Sequence, residues 1–309
     1  MNIVTAARFP SCEFRSRLFL VLVMLGALSC SGESSSPVEP EEKGKPGLGP
    51  NQGQFIDAPV EGLQFISGVQ SGTTDARGVF SFQSGHDVQF WVGNIELGSV
   101  APAVKLSPLH LAQTTDVTDP VATNIARFLQ TIDNDGNASN GIKITGAVLV
   151  AAVGKSLNFA QTVVEFENDP NVQSVVASLT GVTQVGVREL VDATLAQSQL
   201  ANGIRSALVG QYSGSFCKVT DGVAQPGGQW AMTVATDGKA KFEFVGVVSF
   251  KVSCAMALDG RVSANDPDAG VEVYGSFGQD FHGYWSYHGM TGTYSQKSGC
   301  GATSTPCDN

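Results

Sequence analysis

Asp133, Asp135 and Asn137 alternate along the chain, and Asn140 follows three residues later. Calcium takes about six to eight oxygen ligands at roughly 2.3–2.6 Å, and side chains at alternate positions of a tight loop can converge on one ion. An EF-hand loop begun at Asp133 needs Gly at its sixth place and a bidentate Glu at its twelfth. Ala138 and Ile144 stand there, and Gly136 is fourth. Two accounts of the four residues follow: a calcium site, or Asp/Asn/Gly turns whose side chains cap backbone amides while Gly136 and Gly141 supply positive φ. The turn account is the more economical, because Asp-Gly and Asn-Gly clusters are ordinary turn chemistry. No other cofactor is implied.

Catalytic patterns are absent from the rest of the chain. The four histidines, His86, His110, His282 and His288, form no zinc-binding spacing, no serine sits in a G-x-S-x-G elbow, and no Walker or Rossmann glycine pattern follows a strand. The segment Phe281 to His288 gathers aromatics and imidazoles and suggests a sugar-stacking face. Strand alternation instead places Phe281, Trp285 and Tyr287 on one side and His282, Tyr284 and His288 on the other, which reads as a core row with an outer row. Four cysteines, Cys217, Cys254, Cys300 and Cys307, lie in the C-terminal third. In an oxidising compartment their even number favours disulfides, with Cys217–Cys254 and Cys300–Cys307 the preferred pairs of the three pairings available.

These residues need elements to position them, and the composition bounds what those are. The chain has 309 residues, enough for two compact units plus tails. Its 42% hydrophobic content against 15% charge excludes global disorder, and its 36 glycines point to many turns and short strands. Residues 30–309 carry 15 basic and 27 acidic residues, a net charge of about −12. Such a field disfavours nucleic acid as a partner.

Arg15 and Arg17 precede an apolar run from Leu18 to Ser29, after which the sequence turns polar at Cys30. This is a secretory signal, residues 1–29. Twelve residues span about 18 Å, short of the roughly 30 Å hydrocarbon core. Ala27-Leu28-Ser29-Cys30 resembles the lipobox of bacterial lipoproteins, with Ala27 where that family prefers Leu. The resemblance implies an acylated Cys30 as mature N-terminus, and Ser31 in place of Asp implies sorting to the outer membrane. Residues 30–52 read as a solvated tether rich in Ser, Pro and Gly.

The expected fold is α+β: an N-terminal β-sandwich-like module and a helical middle layer in 53–208, then a C-terminal antiparallel β-meander or barrel in 209–309. Short alternating strands run from Leu63 to Leu97. Within them Thr74 to Phe82 resembles the T-D-x-x-G-x-F-x-F hairpin of carboxypeptidase-regulatory-like and transthyretin-like modules. There Asp75 accepts turn amides, Gly78 takes a positive φ, and Phe80 and Phe82 share a face. Asp119-Pro120 starts a helix burying Val121, Ile125, Phe128 and Ile132, with Asn124, Arg127 and Gln130 on its wet side. Further helices are expected over Phe159 to Glu167, from Asp169-Pro170 to Gly181, and from about Gln184 to beyond Leu195. They either cover the first sheet or form a bundle of their own. Asp237-Gly238 and Asp259-Gly260 mark hairpins in the last third, whose first and last strands are Gly210 to Gly214 and Thr291 to Ser295.

Residues Asn124 to Ile142 also carry the phrase N-I-x-x-x-L-Q-x-x-D-x-D-G-x-x-x-N-G-I, which resembles a loosely characterised group of bacterial envelope proteins. That resemblance implies an envelope location and brings no activity with it. The leading reading is a non-catalytic envelope lipoprotein that binds an unidentified protein or glycan. The alternatives are an accessory solute-binding subunit of an envelope transport system, with a large apolar pocket in its C-terminal unit, and third a hydrolase assembled from distant segments.

Overall fold

The computed structural model describes residues 48–49 and 51–297. The signal sequence, Cys30, Cys300 and Cys307 lie outside the described residues. The first strands are β1 (Gln52–Phe55), β2 (Val60–Glu61), β3 (Gln64–Ser67), β4 (Gln70–Thr73), β5 (Val79–Ser81), β6 (Val88–Val92), β7 (Ile95–Val100) and β8 (Lys105–Leu106). They make a three-stranded sheet, β5-β1-β8, and a four-stranded sheet, β4-β3-β6-β7. Phe55 and Phe80 of the first meet Phe90 of the second at ring separations of 4.8 and 5.2 Å, so the two sheets share one core. The Thr74–Phe82 stretch makes the expected Asp75 turn but not a hairpin, because β4 and β5 on either side of it pair into different sheets. Asp75 Oδ1 accepts from the amides of Arg77 and Val79, both at 2.8 Å, and Gly78 has φ +74°.

The helical region contains α1 (Pro108–Leu111), α2 (Pro120–Thr131), a 3-10 turn at Ala138–Asn140, β9 (Ile142–Lys143), α3 (Gly146–Ala151), α4 (Val163–Asn168), α5 (Pro170–Thr180) and α6 (Ala193–Leu208). Asp119 caps α2 through the amides of Val121 and Ala122, and Asp169 caps α5, which ends at Gly181 as its sequence dictates. Two boundaries differ from expectation. α4 starts at Val163, behind a Thr162/Glu165 capping box, and α6 starts at Ala193 behind Asp192, so the stretch from Gln184 is not helical. α1 and α3 are too short to show a period in the sequence.

The larger correction concerns α2. Asn124, Arg127 and Gln130 are buried, not wet, at 0, 1 and 2% exposure. Ile125, Phe128, Leu129 and Ile132 belong to the core of the first sheets, while Ala122 and Ala126 belong to a second core shared with α6 and the C-terminal strands. The helix lies between the two, so no side remains for water. The donor groups of its polar side chains find partners within the protein instead, mostly backbone carbonyls, while Asn124 Oδ1 and Gln130 Oε1 have none. Asn124 Nδ2 donates to the carbonyls of Phe159 and Gln161, and Arg127 donates to Val191 O at 2.6 Å and to Glu167 Oε2 at 3.0 Å.

The last third is an eight-stranded antiparallel sheet curled into a nearly closed barrel. Its strands are β10 (Gly210–Thr220), β11 (Val223–Val234), β12 (Lys239–Gly246), β13 (Ser249–Ala255), β14 (Val262–Asp266), β15 (Val271–Phe277), β16 (Phe281–Tyr287) and β17 (Met290–Ser295), in the order β13-β12-β11-β10-β17-β16-β15-β14. First and last strands pair, Ser215 opposite Ser295. Both expected Asp-Gly hairpins are present, and the second joins the two edge strands, which touch at a Met256–Val262 bridge. Phe216, Trp230, Phe242, Phe244, Phe281 and Trp285 fill the interior at 2% exposure or less. The indole N–H groups of Trp230 and Trp285 reach the carbonyls of Ser295 and Cys217, both at 3.1 Å.

Where the link between β1 and β2 passes α6, the backbone comes so close that a Cβ on Gly203 would lie 1.8 Å from Asp57 O. The Asp57 side chain is 1% exposed and accepts from Gln130 Nε2 at 2.8 Å, while its Oδ2 and Gln130 Oε1 have no partner. Burial pushes the Asp57 carboxyl up to about 8, outweighing the opposing Gln130 hydrogen bond. A proton on Asp57 therefore supplies a donor where two acceptors stand unpaired. Its stabilising effect is complete below the unfolded carboxylate value of about 4 and is lost as pH rises through about 8, because over that window the native state holds a proton the unfolded chain has released. Stability should fall by up to about 1.4 kcal/mol per pH unit from this group. Asp57→Asn should flatten the dependence between about pH 5 and pH 8, as measured by denaturant unfolding across pH; an unchanged slope would place the titrating group elsewhere.

Candidate functional site

The four candidate calcium ligands come together as a hydrogen-bonded turn. Asp135 Oδ1 accepts from Asn137 N at 2.9 Å and Oδ2 from Asn140 Nδ2 at 3.0 Å, Asn137 Oδ1 accepts from Ser139, and Asp133 Oδ1 accepts from Lys143 N at 2.8 Å. The bond from Asn140 is the main reason that Asp135 titrates below the usual carboxylate range, whereas burial pushes Asp133 up. The cation facing this loop is Arg188, which donates through Nε to Thr131 O at 2.6 Å and through its second amino group to Asp133 O. Among the described residues no group of three or more His, Cys, Asp or Glu is set to hold a metal. An incoming ion would have to displace these bonds, so millimolar calcium is expected to leave the thermal midpoint unchanged. A rise that disappears in Asp135→Asn would put calcium in the loop.

The cysteines depart from expectation. Cys254 is a free thiol and Cys217 is disulfide-bonded, so Cys217–Cys254 does not form. β11 and β12 intervene between their strands, a separation of about 14 Å, whereas bonded cysteines have Cα atoms about 4.4–6.8 Å apart. Burial pushes the Cys254 thiol up. Alkylation of the unreduced, unfolded protein should label Cys254 and spare Cys217, read by peptide mass. A labelled Cys217 would refute this assignment.

On β16 the outer and inner rows separate as alternation requires: Phe281 and Trp285 are fully buried, Tyr284 is 47% exposed, and His288 falls in the following turn. His110 lies elsewhere, in a cavity of about 420 Å³ between α1 and the Asp259-Gly260 turn. Its Nδ1 lies 2.9 Å from Ser107 Oγ, and burial holds the imidazole below its usual range despite the opposing charge and backbone of Asp259. Serine, histidine and aspartate thus approach one another. The serine is 2% exposed, and the Asp259 carboxylate is taken by Arg261.

The site that sequence reasoning missed is a groove of about 660 Å³ on the outer face of the sheet β4-β3-β6-β7. Alternation in β6 buries Val88, Phe90 and Val92 and turns Gln89 and Trp91 outward. The pairing of β6 with β7 shifts register between Phe90 and Trp91, a bulge of the kind that re-aims a side chain. Half-buried Trp91 then stands in a cross-strand row with Gln64 and Thr73, and Ile66 with Ser71 forms the next row. Two carboxamides are fixed from behind. Gln64 Oε1 accepts from Gly93 N at 2.8 Å, and Asn94 Oδ1 accepts from Gly154 N at 2.7 Å. Gly93, at φ +60°, makes this turn and lets it approach α3, where a Cβ would lie 2.6 Å from Leu149 O. With both oxygens engaged, the two NH2 groups are the donors left over. The groove thus offers an indole, two oriented amides and the hydroxyls of Ser71 and Thr73, and no charged residue lines it. One signal was in the sequence: Trp91 is the large apolar residue at a wet position of an alternating strand.

No protein family, curated protein or solved structure matches the chain in these comparisons.

Proposed function

We propose that the chain is a non-catalytic envelope lipoprotein, anchored by acylation of Cys30 in the outer membrane and binding its partner at the Trp91 groove. The observation that carries this reading is the groove itself, where hydrogen bonds from Gly93 and Gly154 orient two side chains that the sheet has no other use for. The aromatic filling of the barrel supports a binding module over a solute carrier, since the runner-up requires an apolar cavity in that unit. The buried Ser107 and the Arg261-paired Asp259 speak against a hydrolase at His110. In this reading the two facing N-terminal sheets act as a β-sandwich-like scaffold, and the barrel is a rigid companion rather than a vessel.

Two measurements test it. Cys30→Ala should move the protein to the soluble fraction and abolish labelling by a fatty-acid analogue, and unchanged membrane fractionation would overturn the anchor. Photo-cross-linking in intact cells from exposed Ser71, compared with exposed Val223 on the barrel, should capture an envelope component from Ser71 alone. Equal capture from both positions, or none from Ser71, would remove the groove as the binding surface.

A further inference from the structure

The chemistry of the groove narrows its ligand, an inference that rests on the binding role just proposed. Trp91 offers a flat apolar face, and flat apolar faces with polar edges select ligands that are themselves apolar on one side and hydrogen-bonding around the rim. The donors beside it are neutral: the NH2 groups of Gln64 and Asn94 and the hydroxyls of Ser71 and Thr73. They are held in place rather than free to follow a ligand, because both amide oxygens are already bonded to backbone N–H groups. Glu96 stands opposite Trp91 in the β6–β7 register and is exposed, and the chain as a whole carries −10. An anionic ligand would meet repulsion from both. A cationic ligand would find Glu96 beside Trp91 but no carboxylate among the lining residues, where Gln64, Asn94, Ser71 and Thr73 offer it no charge to pair with. A purely apolar one would leave the fixed amides without acceptors.

We propose that the groove binds a neutral oligosaccharide, with the C–H face of one sugar ring stacked on Trp91 and ring or hydroxyl oxygens accepting from Gln64 and Asn94. The volume of about 660 Å³ and the open edge at β4, all four of whose residues are exposed, suit several linked sugars lying across the strands better than a single buried one. Binding needs no metal and no covalent step.

The test is titration of the full-length protein in detergent with cellotetraose, mannotetraose and chitotetraose, and with an oligogalacturonate as the anionic comparison. Of the three tryptophans, Trp230 and Trp285 are buried in the barrel, so a change in indole emission on binding reports Trp91. At least one neutral oligosaccharide should shift the emission, with Trp91→Ala weakening its affinity at least about tenfold, Trp91→Phe retaining part of it, and Gln64→Ala weakening it by a smaller factor. Binding to Trp91→Ala, which has no reporter, is read by calorimetry, and an unchanged melting temperature shows that the variant folds. The proposal is overturned if no neutral oligosaccharide binds at millimolar concentration, if Trp91→Ala binds as well as the parent, or if the oligogalacturonate binds more tightly than the neutral series. Should cross-linking from Ser71 capture a protein while every sugar fails, the binding role stands and the saccharide assignment falls. Should sugars bind and cross-linking fail, the ligand class stands and the cellular partner must be sought elsewhere.

Discussion

A helix surrounded on every side by protein must find a partner for each polar side chain it carries, because an unpaired buried donor or acceptor costs about 1–3 kcal/mol and an unpaired charge more. α2 is under that constraint. Asn124, Arg127 and Gln130 answer it for their donor groups by reaching the loop carbonyls of Phe159, Gln161 and Val191 and that of Ala196 in α6, 35 to 66 residues further along the chain, and leave Asn124 Oδ1 and Gln130 Oε1 unpaired. Those contacts fix where the linkers into α4 and α6 run. They also place α6 against Asp57 and the second core, and hence set the approach to β10. The two hydrophobic cores meet at one helix, with apolar residues facing each and polar residues serving as its ties to the chain around it.

Local chemistry made most elements readable. The Asp-Pro starts of α2 and α5, the Asp75/Gly78 turn, the two Asp-Gly hairpins and the alternating barrel strands depend on residues a few positions apart, or on a strict period of two. What failed depends on distance. The polar stripe of α2 has the spacing of a solvent face, and only the presence of a second core reveals that it is buried. Cys217 and Cys254 are both in strands, and only the strand order shows how far apart they lie. Arg188 follows Asp133 by 55 residues, so its charge at the Asp/Asn turn could not be seen in the turn's own sequence.

The groove was hidden for a related reason. Trp91 could be singled out from alternation, but Gln64, Ser71 and Asn94 are unremarkable polar residues whose value comes from the sheet that aligns them and from backbone amides contributed by the β6–β7 turn and the end of α3. The barrel presents the opposite case. Its aromatic residues are conspicuous in the sequence and suggest ligand contact, yet they are spent on the interior, where Trp230 and Trp285 even bond their N–H groups to the next strand but one. Composition alone does not distinguish an aromatic that packs from one that binds.

The pairing of β10 with β17 carries a consequence for how the chain reaches its native state. Each of the eight barrel strands is joined by a short link to a strand it pairs with and can zip sequentially, whereas β10 meets β17 only after roughly 75 intervening residues have been made and ordered. Until then β10 has β11 on one side and a free row of backbone donors and acceptors on the other. That open edge makes the interval before closure the moment at which copies of this chain are most exposed to pairing with one another.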